Sequence, residues 1–313
     1  MISVIVLTYN QEAYICQTLD SILAQQTDEQ IEVIIGDDHS SDGTSVICQA
    51  YQAQYPDRVR YFYNTPNLGL VQNFVAMLRH CQGEYIALCD GDDYWTDKHK
   101  LQKQVQVMRE NSRCVLVHTN RQLLADKLYE QPPLDKSVAE IPQELFFHPY
   151  ICVPTTLFRA KSAWQWLDTY ETLSLQQDWR MQDFPLWLYL GTQGTFCYLA
   201  ENTAMYRVLP DTLSREQDKR KRYRFDSSVM RIKRYFYPAY YATVADKVTF
   251  CHRFKEMEFH ARKRMLLDYG WRARKQILPL IRLLPWLPMI VWRKIQRNMK
   301  MMNRKKNEKD KCY

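Results

Sequence analysis

The sequence lacks the short motifs that most often identify a nucleotide-binding or metal-binding protein. No GxGxxG follows the first apolar run, because the next residues read "TYNQEA" without a glycine, and this argues against a dinucleotide dehydrogenase. GxxxxGK(S/T) and HEXXH are also absent, which argues against a P-loop nucleotidase and a zinc peptidase. The fifth, sixth and twelfth positions of an EF-hand starting at Asp90 hold Tyr94, Trp95 and Leu101, so that calcium loop is excluded too.

Paired cysteines and a leader segment are lacking as well. The nine cysteines are odd in number and never spaced as CxxC. The sequence therefore predicts neither a disulfide framework nor a zinc site, and it fits a reducing cytosol. Residues 2–9, "ISVIVLTY", have no basic segment before them and no small-residue cleavage site after them. We expect a buried strand there and no signal peptide.

Charge divides the chain into two parts. Residues 211–313 contain 28 Lys and Arg against 10 Asp and Glu, whereas residues 1–210 contain 15 against 25. An acidic body with a basic tail suggests two tasks, although the basic residues could also form a solvated helical face.

Apolar patterning in the first 120 residues alternates between strands and helices. Continuous apolar or β-branched runs predict buried strands, and stripes at i, i+3, i+4 and i+7 between them predict helices. This alternation implies right-handed crossovers and an α/β fold, with a Rossmann-like, mainly parallel sheet flanked by helices. The predicted strands span residues 2–9, 31–36, 59–64, 84–89 and 114–119.

Polar clusters follow the first four predicted strands. They read "TYN", "DDHSSDGT", "NLGLVQN" and "DGDDYW". In open sheets of this kind ligands bind beyond the carboxyl ends of the strands, so the four loops are expected to converge on one rim. Asp90 and Asp92, separated by the flexible Gly91, suit Mg²⁺ or Mn²⁺, which take one or two protein carboxylates. The alternative is a solvated acidic turn.

These motifs carry a family resemblance. The segments "SVIVLTYNQEAYICQTLDSILAQ", "EVIIGDDHSSDGT", "NLGLVQNF" and "GEYIALCDGDDYW" resemble, in order and spacing, the N-terminal half of family 2 glycosyltransferases. These are inverting nucleotide-sugar enzymes with the GT-A fold. The likeness continues through "VPTTLFRA", "QDFPLWLYL" and "YRVLPDTLS" and so covers roughly residues 1–210.

The resemblance implies roles for individual residues. Tyr9 would stack on the base, Asp38 would accept a hydrogen bond from the base, usually uracil, and Asp37 would shape their turn. Asp92 would be the direct ligand of the metal, and Asp90 would reach the ribose or the metal's water. The implied nucleotide-binding set is Thr8, Tyr9, Asp37, Asp38, Asn67, Gly69, Asn73 and Asp90. Core packing for Tyr9, and turn or cap chemistry for Asn67 and Asn73, are the alternatives.

Two aspartates compete for the role of catalytic base. In the family the base precedes a helix that "QDFPLWLYL" resembles, which favours Asp183, with Asp178 as second choice. Asp183 could also be only a helix N-cap, and the two roles are compatible. Gln182 stands where many relatives carry a second acid. Residues 206–214 resemble the loop that closes over the diphosphate, with Arg207 as a phosphate contact.

The basic tail contains the apolar run 277–292, which Arg282 and three prolines interrupt. It is too short and broken to span a bilayer, which requires about 20 apolar residues. Flanking Lys and Arg together with Trp286 and Trp292 favour an interfacial anchor on an anionic membrane surface, through residues 277–313. Packing on the acidic body or on a partner is the alternative. Nucleic-acid binding is not expected, since no nucleic-acid module accompanies the charge.

Together these features predict a cytoplasmic glycosyltransferase on the inner face of the cell membrane. It would use Mn²⁺ or Mg²⁺ to move a sugar from a nucleotide-sugar donor, a UDP-sugar above all, to a glycan or lipid-linked acceptor. We expect a GT-A domain over residues 1–210, with a nucleotide-binding half (1–120) and an acceptor half (121–210), followed by a basic helical extension (211–313). The alternatives are an inactive scaffold or sugar-nucleotide sensor, and a metal-dependent phosphohydrolase of nucleotide diphosphates.

Overall fold

The structure is a computed structural model, and it describes residues 1–209, 218–269 and 277–286. The predicted domain boundary at 210, residues 210–214 of the predicted diphosphate loop, and residues 287–313 of the tail lie outside the described residues.

The first half of the chain forms the parallel part of a nine-stranded sheet, as the alternating pattern predicts. The order β3-β2-β1-β4 comes from three parallel pairings. The elements are β1 (Ile2–Thr8), α1 (Ile15–Leu23), β2 (Ile31–Asp37), α2 (Thr44–Gln54), β3 (Val59–Tyr63), α3 (Leu70–His80) and β4 (Tyr85–Leu88). Every residue of β1 and β2 is buried, because helices cover both faces of the sheet.

The second half of the sheet contains both parallel and antiparallel strands. The local sequence pattern does not predict this mixture. β8 inserts between β4 and β6 and is antiparallel to both, while β6 and β9 run parallel over ten residue pairs. The elements are β5 (Tyr94–Trp95), α4 (Lys100–Glu110), β6 (Cys114–Leu124), β7 (Leu128–Glu130), α5 (Lys136–Ala139), α6 (Pro142–Leu145), β8 (Thr156–Arg159), α7 (Ala160–Gln176), α8 (Phe184–Gln193) and β9 (Thr195–Arg207).

Two apolar layers lie on opposite faces of the sheet. One is formed under α1 and α4 by residues such as Leu19 and Val105, and the predicted apolar stripes of both helices are buried there. The other lies under α3, α7 and α8 and includes Phe74, Trp166 and Trp187. Burial of apolar surface on both faces stabilises the central strands.

The C-terminal helices are α9 (Lys219–Thr243), α10 (Lys247–Tyr269) and α11 (Ile277–Ile281). Ile232, Phe236 and Phe254 on α9 and α10 join the apolar layer of the body. Leu283 and Trp286 pack against Phe259 of α10, so the described start of the tail packs on protein. Within the described ranges, none of the helices combines the length and apolar character needed to cross a bilayer.

Candidate active site

An acidic loop follows β4 at the carboxyl edge of the parallel strands. Asp90, Asp92 and Asp93 occupy a tight turn closed by a hydrogen bond from the Asp93 amide to the Asp90 carbonyl, at 2.9 Å. The Thr18 hydroxyl of α1 contacts two carbonyl oxygens of this turn, those of Gly91 at 2.9 Å and Asp93 at 2.6 Å. Helix α1 therefore fixes the backbone of the acidic loop.

The carboxyl groups of this loop are held in an unfavourable environment for negative charge. Burial raises the pKa of Asp90 well above its ordinary value, and the nearby carboxylates of Asp92 and Asp183 raise it further. Burial also raises the pKa of Asp92, while Arg207 and Gln11 partly oppose that rise. Asp93 likewise has a raised pKa, because it is buried beside Asp92 and Asp90. A positive charge at this loop would relieve all three groups.

Arg207 reaches the acidic loop from the end of β9. The pairing of β5 with β9 brings them together, with Tyr94 opposite Met205. The Arg207 guanidinium donates to the Asp92 carbonyl and to the Gln17 side chain, and its backbone amide donates to the Asp93 carboxylate at 2.8 Å. Its side chain lies between the rings of Tyr14 and Tyr94, at 5.0 and 4.7 Å. The structure thus places Arg207 beneath the loop, 7% exposed.

The end of β1 completes the acidic side of the rim. Thr8 and Gln11 lie against Gly91, where an added Cβ would be 2.8 Å from Thr8 Oγ1 and closer still to Gln11 Oε1. Both of these oxygen atoms are buried, and among the described residues neither has a hydrogen-bond partner. Oxygen atoms without a donor, beside carboxylates of raised pKa, suit a hard divalent cation.

A fully protein-built metal centre is not present among the described residues, since no three or more His, Cys, Asp or Glu side chains gather to hold an ion. Mg²⁺ and Mn²⁺ need only one or two protein carboxylates and complete their shell with water and phosphate oxygens. Asp90 and Asp92 are the residues that would hold such an ion.

The loop after β2 is organised by its two aspartates. Asp37 is fully buried and accepts hydrogen bonds from the Ser40 amide, the Ser45 hydroxyl and the Tyr61 hydroxyl, at 2.6–2.9 Å. Thr8 and Asp37 are neighbours in the parallel register of β1 and β2. Asp37 therefore holds the backbone of the turn that follows β2.

Asp38 joins this turn to the loop before α3. Its carboxylate accepts from the amides of Leu68 and Gly69, each at 2.8 Å, and from the Asn64 side chain at 3.1 Å. The Asn67 side chain donates to the Asp38 carbonyl at 2.6 Å. Asn67 and Gly69 therefore lie beside Asp38, with Gly69 in the left-handed region at φ 83°.

Tyr9 and Asn73 stand in contrasting environments. Tyr9 is 52% exposed at the end of β1, so its ring is available to a ligand. Asn73 is buried inside α3, where its amide donates to the Gly36 carbonyl at 2.8 Å and its Oδ1 accepts from Asn64. The structure gives Asn73 the task of joining α3 to β2 and does not bring it to the surface of the rim.

The two candidate bases are separated by the structure. Asp183 is the N-cap of α8, where its Oδ1 accepts from the Phe184 amide at 2.7 Å, and burial raises its pKa. Its negative charge acts on Asp90, so it lies at the acidic rim. Asp178 instead forms ion pairs with Arg180, Arg224 and Arg231, on the side of α9.

Sequence reasoning missed two side chains of the rim, Gln11 and Thr18. Gln11 directly follows the "TYN" segment, and this position is the one local signal for it. Thr18 is buried in the middle of α1, and its contact with a loop more than 70 residues away has no local signature.

The fold is an α/β fold of the GT-A type. Half of its sheet is parallel, polar loops gather at the carboxyl edge of these strands, and paired aspartates follow β4. Residues 3–167 match the profile of "Glycosyl transferase family 2". The chain belongs to this family.

Several curated and solved proteins are similar to the chain. The putative teichuronic acid biosynthesis glycosyltransferase TuaG of Bacillus subtilis is 31% identical over 68% of this chain and 81% of its own. An uncharacterized protein of Mycobacterium tuberculosis is 44% identical over 42% of this chain, and the match spans 39% of that protein. The chain thus spans about two fifths of the first mycobacterial relatives.

Two solved structures share the fold. Residues 1–349 of Staphylococcus aureus TarS, in complex with UDP, superpose with a TM-score of 0.54 at 18% identity, covering 88% of this chain and 87% of that one. The mannosyltransferase PcManGT of Pyrobaculum calidifontis, in complex with GDP-Man and Mn²⁺, gives a TM-score of 0.56 at 16% identity, covering 94% and 87%. At these identities the likeness shows the fold alone.

Proposed function

We propose that the protein is an inverting glycosyltransferase that moves a sugar from a UDP-sugar to a hydroxyl group of a glycan or lipid-linked acceptor in surface polysaccharide synthesis. The observation that carries this proposal is the gathering of Asp90, Asp92 and Asp183 at one rim. Burial raises the pKa of each of the three, and the charges of Asp92 and Asp183 raise the pKa of Asp90 further. The similar protein TuaG is named as a putative glycosyltransferase of teichuronic acid biosynthesis, and this supports a role in surface polysaccharide synthesis.

The nucleotide would bind along the edge formed by β1 and β2. The exposed ring of Tyr9 offers a face for the base, and Asp38 has a fourth acceptor position beyond its three present donors. The backbone around Tyr9 and Asp38 would be held by Thr8, Asp37, Asn67 and Gly69. The structure of TarS, which shares this fold, is a complex with UDP, and this supports a uracil nucleotide in the donor.

The diphosphate would lie at the acidic loop, with Mn²⁺ or Mg²⁺ held by Asp92 and Asp90. When bound, the ion supplies positive charge that stabilises the departing nucleoside diphosphate. Thr18 and Arg207 hold the loop in place from below, through its carbonyl groups.

Asp183 would act as the base. Burial raises its pKa, so its carboxylate takes a proton more readily than an ordinary aspartate does. The acceptor oxygen transfers its proton to Asp183 and forms a bond to the anomeric carbon, while the bond from that carbon to the diphosphate oxygen breaks. Attack opposite the leaving group inverts the configuration, and one base then suffices.

The location we propose is cytoplasmic, at the inner face of the cell membrane. The excess of Lys and Arg in residues 277–313 supports binding to anionic lipid. Sedimentation of the full chain with phosphatidylglycerol vesicles at physiological salt tests this, since a protein that stays in the supernatant is not membrane-bound through its tail.

Substitution of Asp92 tests the function most directly. In Asp92→Asn we expect Mn²⁺-dependent binding of UDP, measured by calorimetry, and sugar transfer both to be lost. Asp97→Asn is the matched control, because Asp97 follows the same loop but pairs with Lys103 at 2.8 Å. Retention of metal-dependent UDP binding by Asp92→Asn would remove the basis of the proposal.

A further inference from the structure

A cavity of about 390 Å³ lies beside Asp178, between the connection from α7 to α8 and the helices α9 and α10. It is separate from the acidic rim. Its polar wall contains Asp178, Arg224, Arg231 and Arg234, and its apolar wall contains Met230 and Met265.

Positive charge is in excess around this cavity. Asp178 is shared by Arg180, Arg224 and Arg231, the last two at 3.3 and 3.4 Å. Glu258 is shared by Arg234 and Arg262. Among the residues that the structure describes, three guanidinium groups therefore share the carboxylate of Asp178, and this surplus favours a ligand with two or more negative charges.

The guanidinium groups differ in how firmly the fold engages them. Arg231 donates to the carbonyls of Gln177 and Asp178, at 2.5 and 2.7 Å, and so holds the end of α7. The side chain of Arg224 is 58% exposed and contacts Asp178 at 3.3 Å, so it can turn toward a ligand at little cost. Arg224 also lines a second cavity of about 390 Å³ that extends to Gly69, beside the predicted nucleotide loop.

The apolar wall narrows the choice of ligand. Met230 and Met265 are almost fully buried, and the Ser227 hydroxyl contacts the Met265 sulfur at 3.6 Å. Methionine side chains adapt to flexible hydrocarbon chains. A cavity with guanidinium groups on one wall and methionines on the other matches an amphiphile with a phosphate head.

We propose that this cavity binds the phosphate or diphosphate group of a lipid-linked acceptor, an inference that rests on the proposed function. Asp178 and Asp183 belong to one connection and are five residues apart, so their Cα atoms are separated by at most about 18 Å. A head group held at the arginines thus lies within reach of the proposed base. The cavity would orient the acceptor while the rim orients the donor.

Vesicle binding by the full chain tests the inference without any donor. Phosphatidylcholine vesicles containing phosphatidic acid, a phosphomonoester, are compared with vesicles of equal surface charge containing phosphatidylglycerol, a phosphodiester. We expect preference for the phosphomonoester, competition by inorganic pyrophosphate, and a loss of about tenfold or more in the double variant Arg224→Gln/Arg234→Gln. Arg79→Gln is the matched control, because Arg79 pairs with Asp168 and Glu171 on the surface of α3 and α7.

Equal binding of the two vesicle types, or a double variant that binds phosphatidic acid like the unmodified chain, overturns the inference. Binding of pyrophosphate without preference for the lipid phosphomonoester overturns its lipid part. Mn²⁺-dependent UDP binding is measured on the same samples. If it persists while phosphate binding is absent, the acceptor site is refuted and the glycosyltransferase proposal stands, whereas loss of UDP binding alone refutes the donor site.

Discussion

The acidic loop after β4 and the Asp178 cluster surround carboxylate groups with opposite amounts of positive charge. At Asp178 the chain supplies three arginines to one carboxylate. The acidic loop contains Asp90, Asp92 and Asp93 and lies near Asp183. Within the described part of the chain, Arg207 is the basic residue that contacts this loop. Its guanidinium donates to the Asp92 carbonyl and its backbone amide donates to the Asp93 carboxylate. The protein itself supplies the positive charge at Asp178, whereas the acidic loop could bind a cation from solution.

This difference teaches how to separate two aspartates that look alike in sequence. Asp178 and Asp183 lie in one short segment, and either could have been a base. Asp178 forms ion pairs with Arg180, Arg224 and Arg231, on the side of α9, so its carboxylate is already engaged by the protein. The surroundings of Asp183 raise its pKa by burial, which makes it a better proton acceptor.

The largest effect is expected for Asp183→Asn, which should lower kcat by about 10²- to 10⁴-fold with UDP binding retained. Asparagine can still cap α8, so the fold is expected to survive. In the unmodified enzyme, transfer should fall as pH decreases through the pKa of Asp183, which lies above the ordinary 3.8. Initial rates against pH measure both effects.

Two variants control this experiment. Asp178→Asn should leave that acidic limb of the pH profile in place, and Asp168→Asn, at an exposed surface position, should leave the rate unchanged. A limb that disappears in Asp178→Asn would exchange the two roles.

A smaller effect is expected for Arg207→Gln. The variant should lose about 2–3 kcal/mol of unfolding free energy, because it removes hydrogen bonds and ring contacts of a buried cation. Arg224→Gln, at the exposed cluster, should lose less than about 1 kcal/mol. Urea denaturation measures both, and equal losses would show that the two sites depend on their arginines in the same way.

A smaller effect than that of Arg207→Gln, and one of opposite sign, is expected for Asp90→Asn without divalent ions. Because the pKa of Asp90 is raised in the folded state, stability falls as pH rises from the ordinary value of 3.8 toward the raised one. At neutral pH the variant should therefore be more stable by about 1 kcal/mol, and near the ordinary aspartate pKa this gain should vanish.

The same substitution at Asp178 should destabilise the protein, since it leaves three guanidinium groups without their carboxylate. Urea denaturation in the presence of a chelator distinguishes the signs. A destabilised Asp90→Asn at neutral pH would contradict the idea that the Asp90 carboxylate lacks a compensating positive charge.

The sequence predicts the parallel strands well because each is a local apolar run with little alternative to burial. β1, β2, β3 and β4 begin and end within one residue of their predicted bounds. It does not predict that β8 inserts between β4 and β6, since strand pairing depends on distant residues. β6 extends to Leu124, five residues beyond its predicted end, because β9 pairs along that stretch.

The site follows the same rule. Asp37 is the last residue of β2, and Asp38, Asp90 and Asp92 lie in loops directly after strands, so the sheet places them at one rim. Asn73 looked like a loop residue, but α3 begins at Leu70 and carries it inward. The positions of Arg207 and Asp178 depend on partners far along the chain, such as Asp93 and Arg231, and no local pattern contains them.

The contacts of the Thr18 hydroxyl with two carbonyl oxygens of the acidic loop have a thermodynamic consequence. Because they immobilise the turn when the chain folds, donor association need not restrict those backbone torsions again. Each residue that stayed mobile until then would oppose complex formation by about 1–2 kcal/mol. A donor bound at the acidic loop would therefore meet a backbone that is already ordered. Its affinity would depend on the contacts it makes and not on the cost of ordering the loop.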